Sequence, residues 1–213
     1  IVPRDGSTAA ARRAYDLAPG QVVQVSDLYT ELGLGGGAGS LRVTGPVAGW
    51  VRTYNQGVPG TFGQDVVPAA AAAFDAGEAV VFPVYTPADV ETDFRSNFLA
   101  VNLESTPITL TLRIGGRTLD VLVPAATYVQ RNLVGQLVGA PVGLGILEVT
   151  GTGRWSGTVS SVDPITGDPA TVRALRPAEA GGSVVFAGVA SQTGQNNTQW
   201  RSQAVLYNPS AAS

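Results

Sequence analysis

Cysteine, histidine, methionine and lysine are all absent from this chain of 213 residues. Without cysteine and histidine there is no disulfide bond, no thiolate zinc site and no imidazole to act as acid, base or metal ligand. Without lysine, a serine nucleophile loses the remaining side chain that could activate it. Paired carboxylates could still hydrolyse a glycoside, but the Asp and Glu residues are scattered through turns with no marked pair. We therefore expect no enzymatic activity and no cofactor.

Clustered basic charge and long apolar runs are missing as well. All 13 basic residues are scattered arginines and the formal net charge is −3, whereas phosphate binding needs a concentrated basic surface. No apolar run is long enough to span a membrane. We therefore expect no nucleic-acid partner and no membrane insertion. Low charge and polar loops are typical of secreted bacterial proteins, so we expect an extracellular or cell-surface location. A chain without an initiator methionine is expected to be processed or cut from a larger product.

Glycine and proline, by contrast, are plentiful, with 27 Gly and 14 Pro in a chain that is 44% hydrophobic. Short apolar stretches recur every 8–12 residues or so between these turn residues. The stretch Ile108 to Ile114 alternates apolar and polar residues strictly before Gly115-Gly116. This pattern is typical of antiparallel strands, and it predicts an all-β protein built as β-sandwich rather than as a parallel α/β sheet.

An internal repeat organises the chain. The stretch Phe94 to Asn102 reads as an aromatic residue, Arg-Ser, five residues and Asn, and Trp200 to Asn208 repeats that order. Position 200 minus position 94 gives a spacing of 106 residues, about half of the chain. Such a spacing predicts two units of about a hundred residues each.

The second copy of the repeat is divided between the two ends of the chain. Its further matches lie near the N-terminus, and the paired stretches are Leu17 to Gln24 with Leu122 to Gln130, Leu41 to Thr44 with Leu147 to Thr150, Trp50 with Trp155, and Ala69 to Gly77 with Ala174 to Gly182. We therefore predict two tandem β-sandwich domains. One is continuous over residues 78–182, and the other is split between residues 1–77 and 183–213. Each is predicted to contain a short helix, at Ser26 to Leu32 and at Asn132 to Val138.

The C-terminal copy of the repeated stretch is the predicted assembly strand. Around Ala204 to Tyr207, as around Phe98 to Val101 in the first copy, apolar residues occupy both alternating positions, which predicts a strand that is buried on both faces. The residues that we assign to it are Trp200, Arg201, Ala204, Val205, Leu206, Tyr207 and Asn208. Residues 1–77 would not fold without such a strand, because the loss of several buried side chains would remove much of a domain's stability of about 5–15 kcal/mol.

Three sources could complete the split unit. The tail of a neighbouring copy would make a head-to-tail homopolymer, that is, an extracellular filament or surface appendage. The tail of the same molecule would close the chain on itself. Alternatively, the 213 residues could be one window of a longer array of repeats, so that another segment completes the unit.

Two other groups of residues suggest binding. Trp50, Trp155 and Tyr54 could stack on sugar rings, as in carbohydrate-binding or adhesive modules, although aromatic residues at repeated positions are more often core. Asp163 and Asp168 could help to hold a calcium ion, but their spacing lacks the ligand density of a known calcium loop. A turn in which an Asp side chain binds backbone N–H groups is the favoured interpretation of that loop.

A resemblance accompanies these motifs. With Trp200-Arg201-Ser202, Tyr207-Asn208-Pro209-Ser210, Tyr54-Asn55-Gln56 and Gly60-Thr61-Phe62-Gly63-Gln64, the chain is similar to tandem all-β modules near the C-termini of large secreted bacterial proteins. The resemblance covers most of the chain and implies a β-sandwich fold and an extracellular location. It brings no catalytic residue. The order differs, since here the chain starts within one module and ends early in the next.

Overall fold

The computed structural model describes residues 2–3, 11–46, 48–57, 60–66, 68, 73–177, 191–193 and 199–209. In chain order the elements are β1 (Val2–Pro3), α1 (Leu28–Glu31), β2 (Gly39–Ser40), β3 (Arg52–Gly57), β4 (Gly60–Asp65), β5 (Ala73–Phe74), β6 (Val80–Thr86), β7 (Arg95–Asn102), β8 (Ile108–Ile114), β9 (Arg117–Val123), β10 (Tyr128–Arg131), α2 (Val134–Val138), β11 (Gly143–Gly151), β12 (Trp155–Val162), β13 (Pro169–Val172), β14 (Ser191–Thr193) and β15 (Gln199–Arg201). Every strand pair is antiparallel. The predicted all-β class is confirmed.

Strands β5 to β13 form two sheets that pack face to face, and we call this part the sandwich. One sheet has the order β10-β7-β12-β13, with β5 also paired to β12, and the other has the order β6-β11-β8-β9. The hairpin between β8 and β9 turns at Gly115 and Gly116, which both have positive φ, at 54° and 81°. A two-residue turn with this backbone conformation matches the twist of its strands, and glycine adopts it without strain.

Alternating side chains from both sheets make the core of the sandwich. Three aromatic rings lie at its centre, with Phe74 4.7 Å and Phe98 6.2 Å from Trp155 between ring centroids. Trp155 is fully buried. Strand β5 supplies Phe74 to this core, although the sequence repeat assigns residues 1–77 to the split unit. The bond from Arg176 Nε to Glu78 Oε1, at 2.7 Å, holds the segment after β5.

Strand β7 lies at the centre of its sheet, but only one of its faces is fully buried. Ser96, Phe98, Ala100 and Asn102 are buried, whereas the residues between them are partly exposed. The prediction of a strand buried on both faces is therefore wrong for β7. The physical reason is that the second sheet covers one face only, so the other face lies against solvent.

The N-terminal part is arranged differently. Helix α1 begins after Asp27, whose carboxylate accepts hydrogen bonds from the N–H groups of Tyr29 and Thr30, as expected for a capping residue. Strands β1 and β2 form one two-stranded sheet, and β3 and β4 form another. None of the side chains described between residues 11 and 68 is buried. The stretches Gln21 to Val25 and Leu41 to Thr44 have strand-like sequences but form no strand. The Gly/Pro-rich stretch Gly57 to Gly63 lies largely in the β3–β4 hairpin.

The described part of the tail makes a small hairpin of its own. Strand β14 pairs with β15, and residues 202–209 follow without regular structure. Within the described ranges, no strand pair joins this tail to residues 2–66. The described residues therefore do not show closure of the split unit by the tail of the same molecule. The two short helices lie where the sequence predicts them.

Candidate assembly site

Strand β7 shows what the repeated stretch does inside a complete sandwich. All eight of its residues pair with β12, from Arg95 opposite Val162 to Asn102 opposite Trp155. On its other side, the four residues Phe98 to Val101 pair with β10. A strand with neighbours on both sides satisfies its backbone N–H and C=O groups in both directions. Removal of β7 would therefore leave β10 without a strand partner and expose one edge of β12, which would still pair with β13 and β5.

Asn102 ends this strand with a dense set of hydrogen bonds. Its Nδ2 group donates to the backbone carbonyls of Thr106, Val123 and Pro124 at 2.8, 3.0 and 3.0 Å. Its Oδ1 accepts from the backbone N–H of Glu104 at 2.8 Å. The side chain is 2% exposed. Asn102 thereby ties the end of β7 to the end of β9 in the opposite sheet.

The tail segment, defined as residues 200–208, carries the same stretch in a different environment. Counted from Trp200 against Phe94, the residues that match the buried positions Ser96, Phe98, Ala100 and Asn102 are Ser202, Ala204, Leu206 and Asn208. All four are exposed, and Leu206 has 84% of its surface accessible. Trp200 and Arg201 lie within β15, where the structure describes only their backbone. Val205 is half-buried, and Tyr207 is 38% exposed.

The N-terminal part contains apolar side chains at positions whose counterparts are core in the sandwich. The exposed fractions, with that of each counterpart second, are 93% for Trp50 against 0% for Trp155, 64% for Val43 against 0% for Val149, 37% for Leu41 against 0% for Leu147, and 43% for Val23 against 2% for Val129. A further apolar residue, Val22, is 87% exposed. The residues of the N-terminal part that the repeat matches to core positions are thus exposed in the single chain.

The sequence repeat predicts which strand pairs of the N-terminal part correspond to those of the sandwich. It matches β1–β2, on either side of α1, with β8–β11, on either side of α2, and it matches the hairpin β3–β4 with β12–β13. No described strand of residues 2–66 stands in the place of β6 or β7. We call the missing place beside β3 the open slot, by analogy with the position of β7 beside β12.

The candidate carbohydrate residues are separated by the fold. Trp155 is fully buried between Phe74 and Phe98, so it is not accessible to a sugar. Trp50 is almost fully exposed, and Tyr54 is 41% exposed with the Arg52 guanidinium 5.4 Å from its ring centroid. The carbohydrate hypothesis is therefore confined to Trp50 and Tyr54.

The acidic loop after β12 is a turn. Asp163 Oδ1 accepts hydrogen bonds from the backbone N–H groups of Ile165 and Thr166 at 2.8 and 3.2 Å. The N–H of Asp163 binds the carbonyl of Asp168 at 3.0 Å and closes the loop. This is the role that the sequence analysis favoured for Asp163 over calcium binding. Among the residues that the structure describes, no three Asp or Glu side chains come together as a metal site.

A shallow hollow beside β6 is where the tail touches the sandwich within one copy. Tyr85 stacks on Phe94, with ring centroids 5.6 Å apart, and its hydroxyl donates to Gln203 Oε1 at 3.0 Å. Nearby, the backbone N–H groups of Asp89 and Ala88 lower the pKa of Asp93 below its ordinary value. The Asp93 carboxylate is thus engaged in holding its own loop.

Sequence reasoning placed Asn208 in the assembly strand but did not identify the backbone carbonyls that its counterpart Asn102 binds. The signal was present, because Asn102 and Asn208 both end the repeat, but the partners of Asn102 are backbone carbonyls from distant positions. Comparison with known proteins adds no further assignment, since no family model, no curated protein and no solved structure matches the chain. No helix in the described ranges has the length and apolar character needed to cross a membrane.

Proposed function

We propose that this chain is a structural subunit of an extracellular filament or surface appendage, and that copies join head-to-tail. The tail segment of one copy enters the open slot of the next and becomes the strand that β7 is in the sandwich. Each added copy then offers a new open slot or a new tail, because the two surfaces differ. Contacts of this heterologous kind generate open chains when they do not close into a ring.

One observation carries the proposal: the two surfaces that would meet are both exposed and both match buried parts of the sandwich. On the tail, Leu206 matches the buried Ala100, and in the N-terminal part Trp50 matches the buried Trp155. Strand addition supplies main-chain hydrogen bonds and pockets for alternate side chains together. The tail segment of a second copy carries the strand that matches the open slot, so we propose a second copy as its occupant.

The energies are of the size that such a contact requires. Burial of a large apolar side chain contributes about 1.5–3 kcal/mol, and each new main-chain hydrogen bond about 1 kcal/mol net. Several such side chains and one inserted strand can offset an association cost of about 4–15 kcal/mol. Within one copy the tail segment forms a strand pair through β15 and accepts a hydrogen bond from Tyr85 at Gln203, but Leu206 remains exposed.

The test is a disulfide between two engineered cysteines, in a chain that has no cysteine of its own. In the sandwich, Leu99 of β7 lies opposite Thr158 of β12, and the matching residues are Val205 and Thr53. Residues directly opposite on antiparallel strands lie about 4.5–5.5 Å apart between Cα atoms, which permits a disulfide. We expect Thr53→Cys with Val205→Cys, oxidised and run on a non-reducing denaturing gel, to give a ladder of dimers, trimers and longer species.

A matched control replaces Thr53→Cys with Thr158→Cys, which lies at the equivalent place where β7 already fills the sheet. We expect no ladder from Thr158→Cys with Val205→Cys. A mixture of the two single variants Thr53→Cys and Val205→Cys should give dimers alone, because each copy then has one reactive end. A compact cross-linked monomer would show closure within one molecule and refute the proposal, as would an unlinked monomer at high concentration.

Exposure of aromatic side chains supports a second function, that of a carbohydrate-binding or adhesive module. Trp50 and Tyr54 are both exposed in the single chain, and exposed aromatic rings can stack on sugars. The two functions make opposite demands, because Trp50 would be covered in a filament and open in a glycan-binding module. Binding to a glycan array by the monomer, lost in Trp50→Ala without unfolding, would favour the second function.

A further inference from the structure

The geometry points to Asn208 as the residue that fixes the register of the inserted strand, by binding the backbone carbonyls of Ala18 and Pro19 in the neighbouring copy. This inference rests on the proposed function and names the contact that would make insertion specific. It begins from Asn102, whose Nδ2 group binds the carbonyls of Val123 and Pro124 at the end of β9.

The sequence match transfers both halves of this contact. Asn208 occupies the place of Asn102 at the end of the repeated stretch, and Ala18-Pro19 occupies the place of Val123-Pro124. In the single chain Asn208 is exposed, and so are Ala18 and Pro19. All three residues therefore lie at the surface of the single chain. The Ala18 carbonyl accepts a hydrogen bond from the Gln21 N–H at 3.0 Å, and a carbonyl oxygen has a second lone pair for another donor.

Apolar pattern alone does not fix the register of the inserted strand. A shift by one residue would turn the apolar face outward, but a shift by two residues keeps every side chain on its face. A buried carboxamide distinguishes these registers, because in the wrong one its N–H and C=O groups lose their partners at a cost in free energy. An aspartate would be worse, since its carboxylate is acceptor-only and would face carbonyl oxygens.

The experiment reads the register from the position of the disulfide. With Val205→Cys in the tail, a cysteine at Thr53 reports the native register, and cysteines at Val51 or Asn55 report shifts by two residues. In the native register these diagonal neighbours lie about 7–8 Å away and do not cross-link. Each reporter pair is compared in three tails, namely native, Asn208→Ala and Asn208→Asp.

We expect the native tail to give a ladder with Thr53→Cys only. For Asn208→Ala and Asn208→Asp we expect the yield of that ladder to fall about tenfold or more, because a loss of about 1.4 kcal/mol or more corresponds to such a factor. In the same two tails, a ladder should appear with Val51→Cys or with Asn55→Cys. Because Asn208 is exposed in the single chain, the variants should keep the far-ultraviolet circular dichroism of the native protein.

The other outcomes separate the two proposals. If the native tail gives no ladder at all, the filament proposal fails and this inference fails with it. If the native ladder forms and both variants give the same ladder at the same yield, the filament proposal stands and the role of Asn208 is refuted. A loss of every ladder in the variants would also refute the register role, since Asn208 would then hold the strand without selecting its position.

Discussion

Trp155 and Trp50 occupy matched positions in the repeat, and we predict opposite effects when each is replaced by alanine. Trp155 is fully buried and contacts Phe74 and Phe98 through its ring. Replacement of a buried Trp by Ala typically costs about 3–5 kcal/mol, through lost burial and the cavity that remains. For a domain with a total stability of about 5–15 kcal/mol, this is a large fraction.

Packing, rather than hydrogen bonding, is expected to account for that cost. The Nε1 group of Trp155 is buried and has no hydrogen-bond partner among the residues described. Trp155→Phe should therefore keep most of the stability and lose about 1–2 kcal/mol, because only part of the ring volume is removed. Trp50→Ala should change the free energy of unfolding of the monomer by less than about 0.5 kcal/mol, because Trp50 is exposed.

The measurement is urea unfolding followed by far-ultraviolet circular dichroism, at a dilution where gel filtration shows the monomer. Circular dichroism is preferred to fluorescence because each of the three variants removes a tryptophan fluorophore. A cost below about 1 kcal/mol for Trp155→Ala would refute the placement of this ring in the core. A cost above about 2 kcal/mol for Trp50→Ala would show that Trp50 is buried in the monomer, and would remove the main support for an open slot.

Two further predictions concern the sandwich itself. Gly135→Ala in α2 should lower the free energy of unfolding by about 1–3 kcal/mol, because the new Cβ would collide with Thr86 Oγ1. Gly145→Ala, whose Cβ would meet Ile114 Cγ2 at 3.4 Å, is the control with a smaller expected effect. Burial alone raises the pKa of Glu78, but hydrogen bonds from the Asp75 N–H and Arg176, with the charge of Arg176, lower it below its ordinary 4.5. Because the pKa is lower in the folded state, the ionised Glu78 stabilises the fold above pH 4.5, and this stabilisation is lost as the pH falls through the pKa of the folded state. The free energies of unfolding of the native protein and of Glu78→Gln should therefore differ most near pH 7 and converge in acid. A difference in urea midpoints that stays constant with pH would contradict this.

Local patterns in the sequence predicted most of the sandwich. The strict alternation of Ile108 to Ile114 became β8 with one buried face, and the paired glycines after it became the hairpin turn. The turn at Asp163 also followed from short-range hydrogen bonding, which depends on a few neighbouring residues, and the Asp27 cap of α1 is held by the same kind of bond. These features need no knowledge of distant parts of the chain.

Predictions that depended on distant partners succeeded less often. Strand β7 has apolar residues on both of its faces, and this pattern could not show that only one face is covered by a second sheet. The stretches Gln21 to Val25 and Leu41 to Thr44 have strand-like sequences but no strand structure. A strand exists through its ladder with a neighbour, so a sequence with strand propensity stays irregular when that neighbour is missing. This behaviour is what an open slot implies for the segments around it.

The tail segment and the open slot differ from β7 and β12 in a way that offers a test of their fit. In the sandwich, the large Phe98 lies opposite Val159, whereas the matching residues are the small Ala204 and the large Tyr54. The larger side chain is on the other strand of the pair, so the summed side-chain volume at this position is nearly kept, as tolerated core substitutions require.

Arg52 matches Gly157, which lies against the Trp155 ring, so Trp50 must take another orientation in the proposed assembly. We expect Ala204→Phe to reduce the disulfide ladder and Tyr54→Val to restore it in the double variant, whereas equal ladders in all four proteins would show that these two residues do not meet.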